Sequence, residues 1–87
     1  MSPDPVPVTV YTREQCHLCE EAVETLERVA DEEGIPVDVD ERDVDADPAL
    51  REEYGERVPY VLVAGRPAFK YRVDPERARR KLRDAAE

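Results

Sequence analysis

The sequence predicts an α/β fold: a four-stranded mixed sheet in the order β-α-β-α-β-β-α, with helices on both faces. Three observations carry this. Short β-branched segments lie at residues 8–12 and 58–63, apolar residues recur at helical spacing from Cys16 to Ala30, and the pairs Asp47-Pro48 and Asp74-Pro75 both read as helix starts.

The first seven residues carry three prolines and predict an extended lead-in, so one domain is expected over residues 8–87. Val8, Val10 and Tyr11, with Thr9 and Thr12, suit a buried strand. From Cys16 the period changes: Cys19, Ala22, Val23, Leu26, Val29 and Ala30 fall at steps of three and four with glutamates between them. Glu20, Glu21 and Glu24 lie in the first turns, where acids complement the helix dipole, and Gly34 supplies a stop, giving a helix over roughly 16–33.

Val37 and Val39 alternate with acids within 35–44, a half-buried strand suited to a sheet edge. Asp47, Pro48 and Gly55 bracket a short helix. Residues 58–63 are the most apolar run and predict a central strand. Residues 64–67 form a turn of hairpin length, after which Phe69, Tyr71 and Val73 alternate with Lys70 and Arg72 as a final strand. The last helix follows Asp74-Pro75 and buries Ala78, Leu82 and Ala85. The two helical connections favour parallel pairing and the short turn makes the last pair antiparallel.

Eighty-seven residues suffice for one domain and not for two, and a 40% apolar content supports a modest core. No stretch approaches the roughly 20 apolar residues of a membrane span, and the N-terminus lacks the basic and apolar regions of a signal peptide. The expected location is therefore the cytoplasm, where thiols stay reduced and two cysteines point to redox chemistry or metal binding.

A net charge of −9 argues against nucleic acid or an anionic membrane as partner. With only Lys70 and Lys81 as lysines, the acidic surface fits hydration in concentrated salt, a halophilic reading; an arginine-leaning genome is the alternative. Residues 1–56 hold 18 acids and 4 bases, whereas 57–87 hold 4 acids and 9 bases. The asymmetry reads as pairing between the first and last helices, or as an interaction arm.

Cys16-His17-Leu18-Cys19 lies between the first strand and the first helix. A C-x-x-C there is a strong redox signal, because free N–H groups and the helix dipole stabilise a thiolate on Cys16, the species that attacks a disulfide. Cys19, one turn later on the apolar stripe, can resolve the mixed disulfide and should be the more buried. A structural disulfide constrains the unfolded chain little across so short a loop. A tetrahedral metal site lacks ligands within one chain, leaving a metal or iron–sulfur site shared between two chains as the rival reading.

Arg13 either supports the thiolate and binds an anionic substrate group or is a solvated strand-end arginine. His17 either donates to the thiolate or is an exposed filler. Pro59, at the start of an apolar strand, is expected trans on base frequency alone.

These features together resemble the glutaredoxin-like branch of the thioredoxin superfamily. The likeness covers about residues 7–86: strand, Cys16-x-x-Cys19 at a helix start, strand, helix, Val58-Pro59, hairpin and final helix. It implies that Cys16 is the nucleophile and Cys19 the resolving thiol. It also implies that Pro59 is cis beside the dithiol and that the Val58 backbone pairs with bound peptide or glutathione. Arg13 then contacts a glutathione carboxylate. His17-Leu18 replaces the family's Pro-Tyr, and Tyr71 and Arg72 stand where glutaredoxins have a Gly-Gly turn, with only Asp74 as a substrate-binding counterpart. The implied protein is a monomeric thiol–disulfide oxidoreductase without a resident cofactor. Its substrates are protein disulfides or low-molecular-weight thiols, glutathione or another, and a cellular thiol is its reductant.

Overall fold

Val6, Val8 and Val10 are buried on one face of the first strand, while Thr9 and Tyr11 face the opposite way, the period-two pattern of a strand covered on both sides. In the computed structural model, which describes residues 4–86, this strand is β1 (Val6–Thr12). It is followed by α1 (His17–Glu33), β2 (Val37–Asp43), a single 3-10 turn (Val44–Ala46), α2 (Pro48–Tyr54), β3 (Tyr60–Val63), β4 (Arg66–Lys70) and α3 (Pro75–Ala86).

The strand begins at Val6, inside the lead-in expected over 1–7, of which residues 1–3 lie outside the described residues. Val6 donates its N–H to the Pro36 carbonyl at 2.9 Å. Pro7 is tolerated because its side of the strand faces the hairpin turn just past the end of β3, where its carbonyl accepts from Ala64 at 2.8 Å and no ladder donor is needed.

The sheet order is β2-β1-β3-β4, a four-stranded mixed sheet as the sequence predicts. β1 and β2 run parallel through the α1 crossover, with Val8 opposite Val39. The second helical connection departs from expectation: β3 is antiparallel to β1, with Tyr60 opposite Tyr11. The seven residues of α2 span only about 10 Å. That is too short to carry the chain back along a seven-residue strand of roughly 23 Å, so β3 starts from the end at which β2 finishes.

β3 and β4 form a hairpin whose central residues, Ala64 (φ 53°) and Gly65 (φ 79°), both adopt left-handed backbone, as a two-residue turn requires. The final strand also differs. It occupies Arg66–Lys70 and stops before Tyr71, whose φ of 73° and the 2.9 Å bond from the Arg72 N–H to the Lys70 carbonyl form a tight turn. Tyr71 therefore leaves the apolar face on which alternation would place it.

The main core lies between the sheet and the pair α1 and α3: Val8, Val10 and Val61 meet Leu26 and Val29 of α1 and Ala78 and Leu82 of α3. α2 covers the other face through Tyr54, whose ring stacks on Tyr11 at 4.2 Å and meets Tyr60 at 5.0 Å. Part of the charge asymmetry of the sequence is matched within the domain, between α1 and α3. Arg79 reaches Glu33 at 3.2 Å and Glu32 at 3.6 Å, and Arg83 also pairs with Glu33, so α3 docks its basic face on the acidic end of α1.

Candidate functional site: the dithiol at the start of α1

β1 delivers the chain to α1 through a short loop in which Gln15 takes a left-handed φ of 58°. Cys16 follows as the N-cap, in extended backbone (φ −104°), and its Sγ accepts the backbone N–H of Cys19 at 3.2 Å. Sulfur thus replaces the hydroxyl or carboxylate oxygen that ordinarily caps a helix, and it lies where the unpaired N–H groups concentrate positive potential. Cys16 and Cys19 are joined as a disulfide, with Cα atoms 5.2 Å apart. Cys16 is half-buried and Cys19 is 3% exposed, the asymmetry predicted from the helical stripe. The two sulfurs available to a shared metal site are thus bonded to each other here.

Pro59 is buried at the entrance to β3, and the Val58–Pro59 peptide is cis. Because Tyr60 pairs with Tyr11, this turn lies at the end of the sheet from which β1 runs to the cysteines. Tyr71 donates its N–H to the Pro59 carbonyl at 2.8 Å, tying the β4–α3 connection to the same place. Leu18, between the cysteines, and Tyr71 then line a cleft of about 210 Å³ with Glu21, Thr25, Arg72 and Val73. Leu18 and Tyr71 are also the two large apolar side chains left exposed among the described residues. Neither is among the site residues the sequence predicts. Leu18 carried a signal, an apolar side chain beside a reactive pair; Tyr71 carried none, because its exposure depends on the tight turn.

The remaining candidates are placed differently. The Arg13 guanidinium grips Asp45 with two bonds, Nε to Oδ2 at 2.9 Å and Nη2 to Oδ1 at 3.2 Å, and lies against Gly55. Asp45 also accepts from Arg51, so Arg13 belongs to a network that fastens the strand-end loop to α2. The bond to Arg13 holds the Asp45 carboxyl below its ordinary range. Asp74 caps α3 by accepting the Arg77 N–H at 3.1 Å. His17 is 95% exposed and faces Glu20 at 3.9 Å. On the α2 face, burial pushes the Tyr54 hydroxyl above its ordinary value. The structure brings Cys16, Cys19, Val58 and Pro59 to one end of the sheet and leaves Arg13 and Asp74 in structural pairings.

The family model of the Glutaredoxin-like domain (DUF836) matches residues 7–83. The chain belongs to this glutaredoxin-like family. An uncharacterized protein of Mycobacterium tuberculosis and one of Mycobacterium bovis are each 36% identical to this glutaredoxin-like domain over 75 residues, covering 83% of it and 77% of their own length. Among solved structures, the structural-genomics target XcR50 from X. campestris superposes with a TM-score of 0.73 at 36% identity, over 92% of this chain and 99% of that one. Protein Ne2328 from Nitrosomonas europaea gives 0.70 at 26% identity, over 87% and 89%. The glutaredoxin-like fold and the cysteine spacing together fit a redox role.

Proposed function

We propose that the domain is a thiol–disulfide oxidoreductase acting on protein or low-molecular-weight disulfides, with Cys16 as nucleophile and Cys19 as resolving thiol. The observation that carries the reading is the cap of α1. The half-buried sulfur of Cys16 accepts a helix N–H while its partner lies one turn deeper, and the same N–H can stabilise negative charge on Cys16 once the bond is reduced.

In the reduced protein the Cys16 thiolate attacks one sulfur of a substrate disulfide. That bond breaks, the first substrate sulfur leaves as a thiolate and is protonated by solvent, and a mixed disulfide remains. Cys19 loses its proton to solvent and attacks the Cys16 sulfur, which expels the second substrate thiol and forms the Cys16–Cys19 bond seen here. Two electrons have passed to the substrate, and two equivalents of a cellular thiol restore the dithiol. Leu18 and Tyr71 offer an apolar surface beside the reacting sulfur, and the Val58 backbone at the Pro59 turn is the segment an extended substrate pairs with. No resident cofactor takes part; a thiol is co-substrate. The domain acts as a cytoplasmic monomer.

The test is turnover of a peptide disulfide and of a glutathione mixed disulfide by wild type, Cys16→Ser and Cys19→Ser. Loss of turnover in Cys16→Ser and accumulation of mixed disulfide in Cys19→Ser are expected. A Cys16→Ser protein that still turns over either substrate would overturn the assignment.

A further inference from the structure

We infer that Arg57, Lys70 and Arg72 form a cationic rim around the dithiol that selects disulfides carried on acidic polypeptide segments. The inference rests on the oxidoreductase reading and names its substrate class.

Topology brings the three together. Arg57 precedes the Val58–Pro59 turn, Lys70 pairs with Tyr60 at the last position of β4, and Arg72 lines the cleft shared with Leu18. All three lie at the end of the sheet where β1 hands the chain to Cys16, and all three are exposed. Arg57 and Lys70 also border a second, open cleft of about 310 Å³ over Tyr60 and Phe69. The rim thus flanks the Pro59 turn on both sides, a footprint that suits a chain segment running past the sulfur.

What points to a partner is position together with the lack of an internal carboxylate. Acids outnumber bases by 22 to 13, so a surface cation readily finds a carboxylate within the chain. Six arginines elsewhere do: Arg13, Arg28, Arg42, Arg51, Arg79 and Arg83. Among the described residues, Arg57, Lys70 and Arg72 have no such partner, and neither do Arg66 in the β3–β4 hairpin or Arg77, Arg80 and Lys81 on α3. Of these seven, the three that gather at the dithiol end of the sheet are Arg57, Lys70 and Arg72, with Lys70 over the Tyr71 ring at 5.4 Å. Glu21 lines the same cleft as Arg72, so the attraction comes from the Arg57, Lys70 and Arg72 side of the mouth, where three unpaired cations on a body of net charge −9 draw an acidic segment towards the Pro59 turn. Complementary charge there raises the encounter rate and rejects wrong partners more than it deepens affinity.

The experiment compares reduction of cystine peptides flanked by aspartate, by serine or by lysine, with wild type and with the R57Q/K70Q/R72Q variant. At low ionic strength the wild-type kcat/KM should favour the aspartate peptide over the serine peptide by about tenfold, within the range of electrostatic steering. The preference should fade in about 1 M salt, where the screening length is about 3 Å. In the variant the ratio should fall roughly tenfold, towards one. The ratio is the decisive readout, since a change in Cys16 reactivity or partial misfolding alters every peptide alike. Fluorescence anisotropy of the same flanking sequences, with serine in place of cysteine, on the oxidised protein reads the rim without turnover. Equal kcat/KM for all three peptides, or an aspartate preference that survives in the variant, overturns the rim. Absence of turnover with retained selective binding overturns the oxidoreductase reading and leaves the rim standing; absence of both overturns both.

Discussion

The backbone N–H of Cys19 points at the sulfur of Cys16 from 3.2 Å, so the deeper cysteine holds the shallower one in the capping position of α1. After reduction the two thiols therefore differ in both charge stabilisation and access. Iodoacetamide should modify Cys16 first, roughly tenfold or more faster than the buried Cys19, as judged by mass mapping of partially alkylated protein. Equal labelling of both thiols would contradict the assigned roles.

Asp45 gathers Arg13 and Arg51 onto one carboxylate, and its carboxyl is held below the ordinary value of 3.8, chiefly by the hydrogen bond from Arg13. A group with a depressed folded-state value stabilises the fold above its unfolded value and loses that contribution as pH falls through the folded one. Asp45→Asn should lower the urea midpoint at neutral pH, and the gap to wild type should close as pH drops below the ordinary carboxylate range. A gap that is constant with pH would show that shape, not charge, is what Asp45 supplies.

Cys16 and Cys19 are legible because they announce themselves locally, as a C-x-x-C at a change of period, whereas Pro59 shows locally only as a proline opening an apolar run, and its cis bond beside the dithiol follows from the family resemblance alone. The role of Arg13 is not legible. Its partner lies 32 residues away, and although the β-α-β order places β2 beside β1, it does not show that Asp45 in the turn after β2 meets Arg13. The direction of β3 is hidden for a related reason, since the composition of α2 announces a helix but not that it is too short to cross the sheet. The end of the final strand is hidden because Tyr71 alternates correctly with Phe69, and a single left-handed residue breaks the register without a glycine to mark it. Local chemistry survives translation into three dimensions; pairings between distant segments depend on topology.

Ala64 occupies a left-handed position in the β3–β4 turn, where a β-carbon is strained and asparagine is far better tolerated. Ala64→Asn should raise stability by about 0.5–1 kcal/mol with no change in the turnover of Cys16, measured by urea unfolding and a peptide-disulfide assay. A destabilised variant would show that the turn is not the two-residue type described.

Gly55 closes α2 with helical backbone, so its lack of a side chain answers to space. A β-carbon there would collide with the Arg51 carbonyl and come within 3.3 Å of Arg13 Nη2. Gly55→Ala should cost about 1–3 kcal/mol, the usual range for forcing extra atoms into a packed contact. A thermal midpoint equal to that of wild type would show that the α2 terminus yields without cost.

The α1–α3 pairing and the net charge of −9 make opposite demands on salt. Screening relieves repulsion among the excess acids and favours the fold, while it weakens the pairs that Arg79 and Arg83 make with Glu32 and Glu33. Wild type experiences both effects. R79Q/R83Q keeps the repulsion, increased by two charges, and has no pairs left to lose. The variant should therefore be the less stable protein in dilute buffer and should gain more from added salt. Its urea midpoint should approach that of wild type at about 1 M, where the screening length is near 3 Å. If the two midpoints instead rise in parallel, these arginines hold the helices together through the packing of their stems, and the halves of the sequence with opposite charge are not electrostatically matched across this interface.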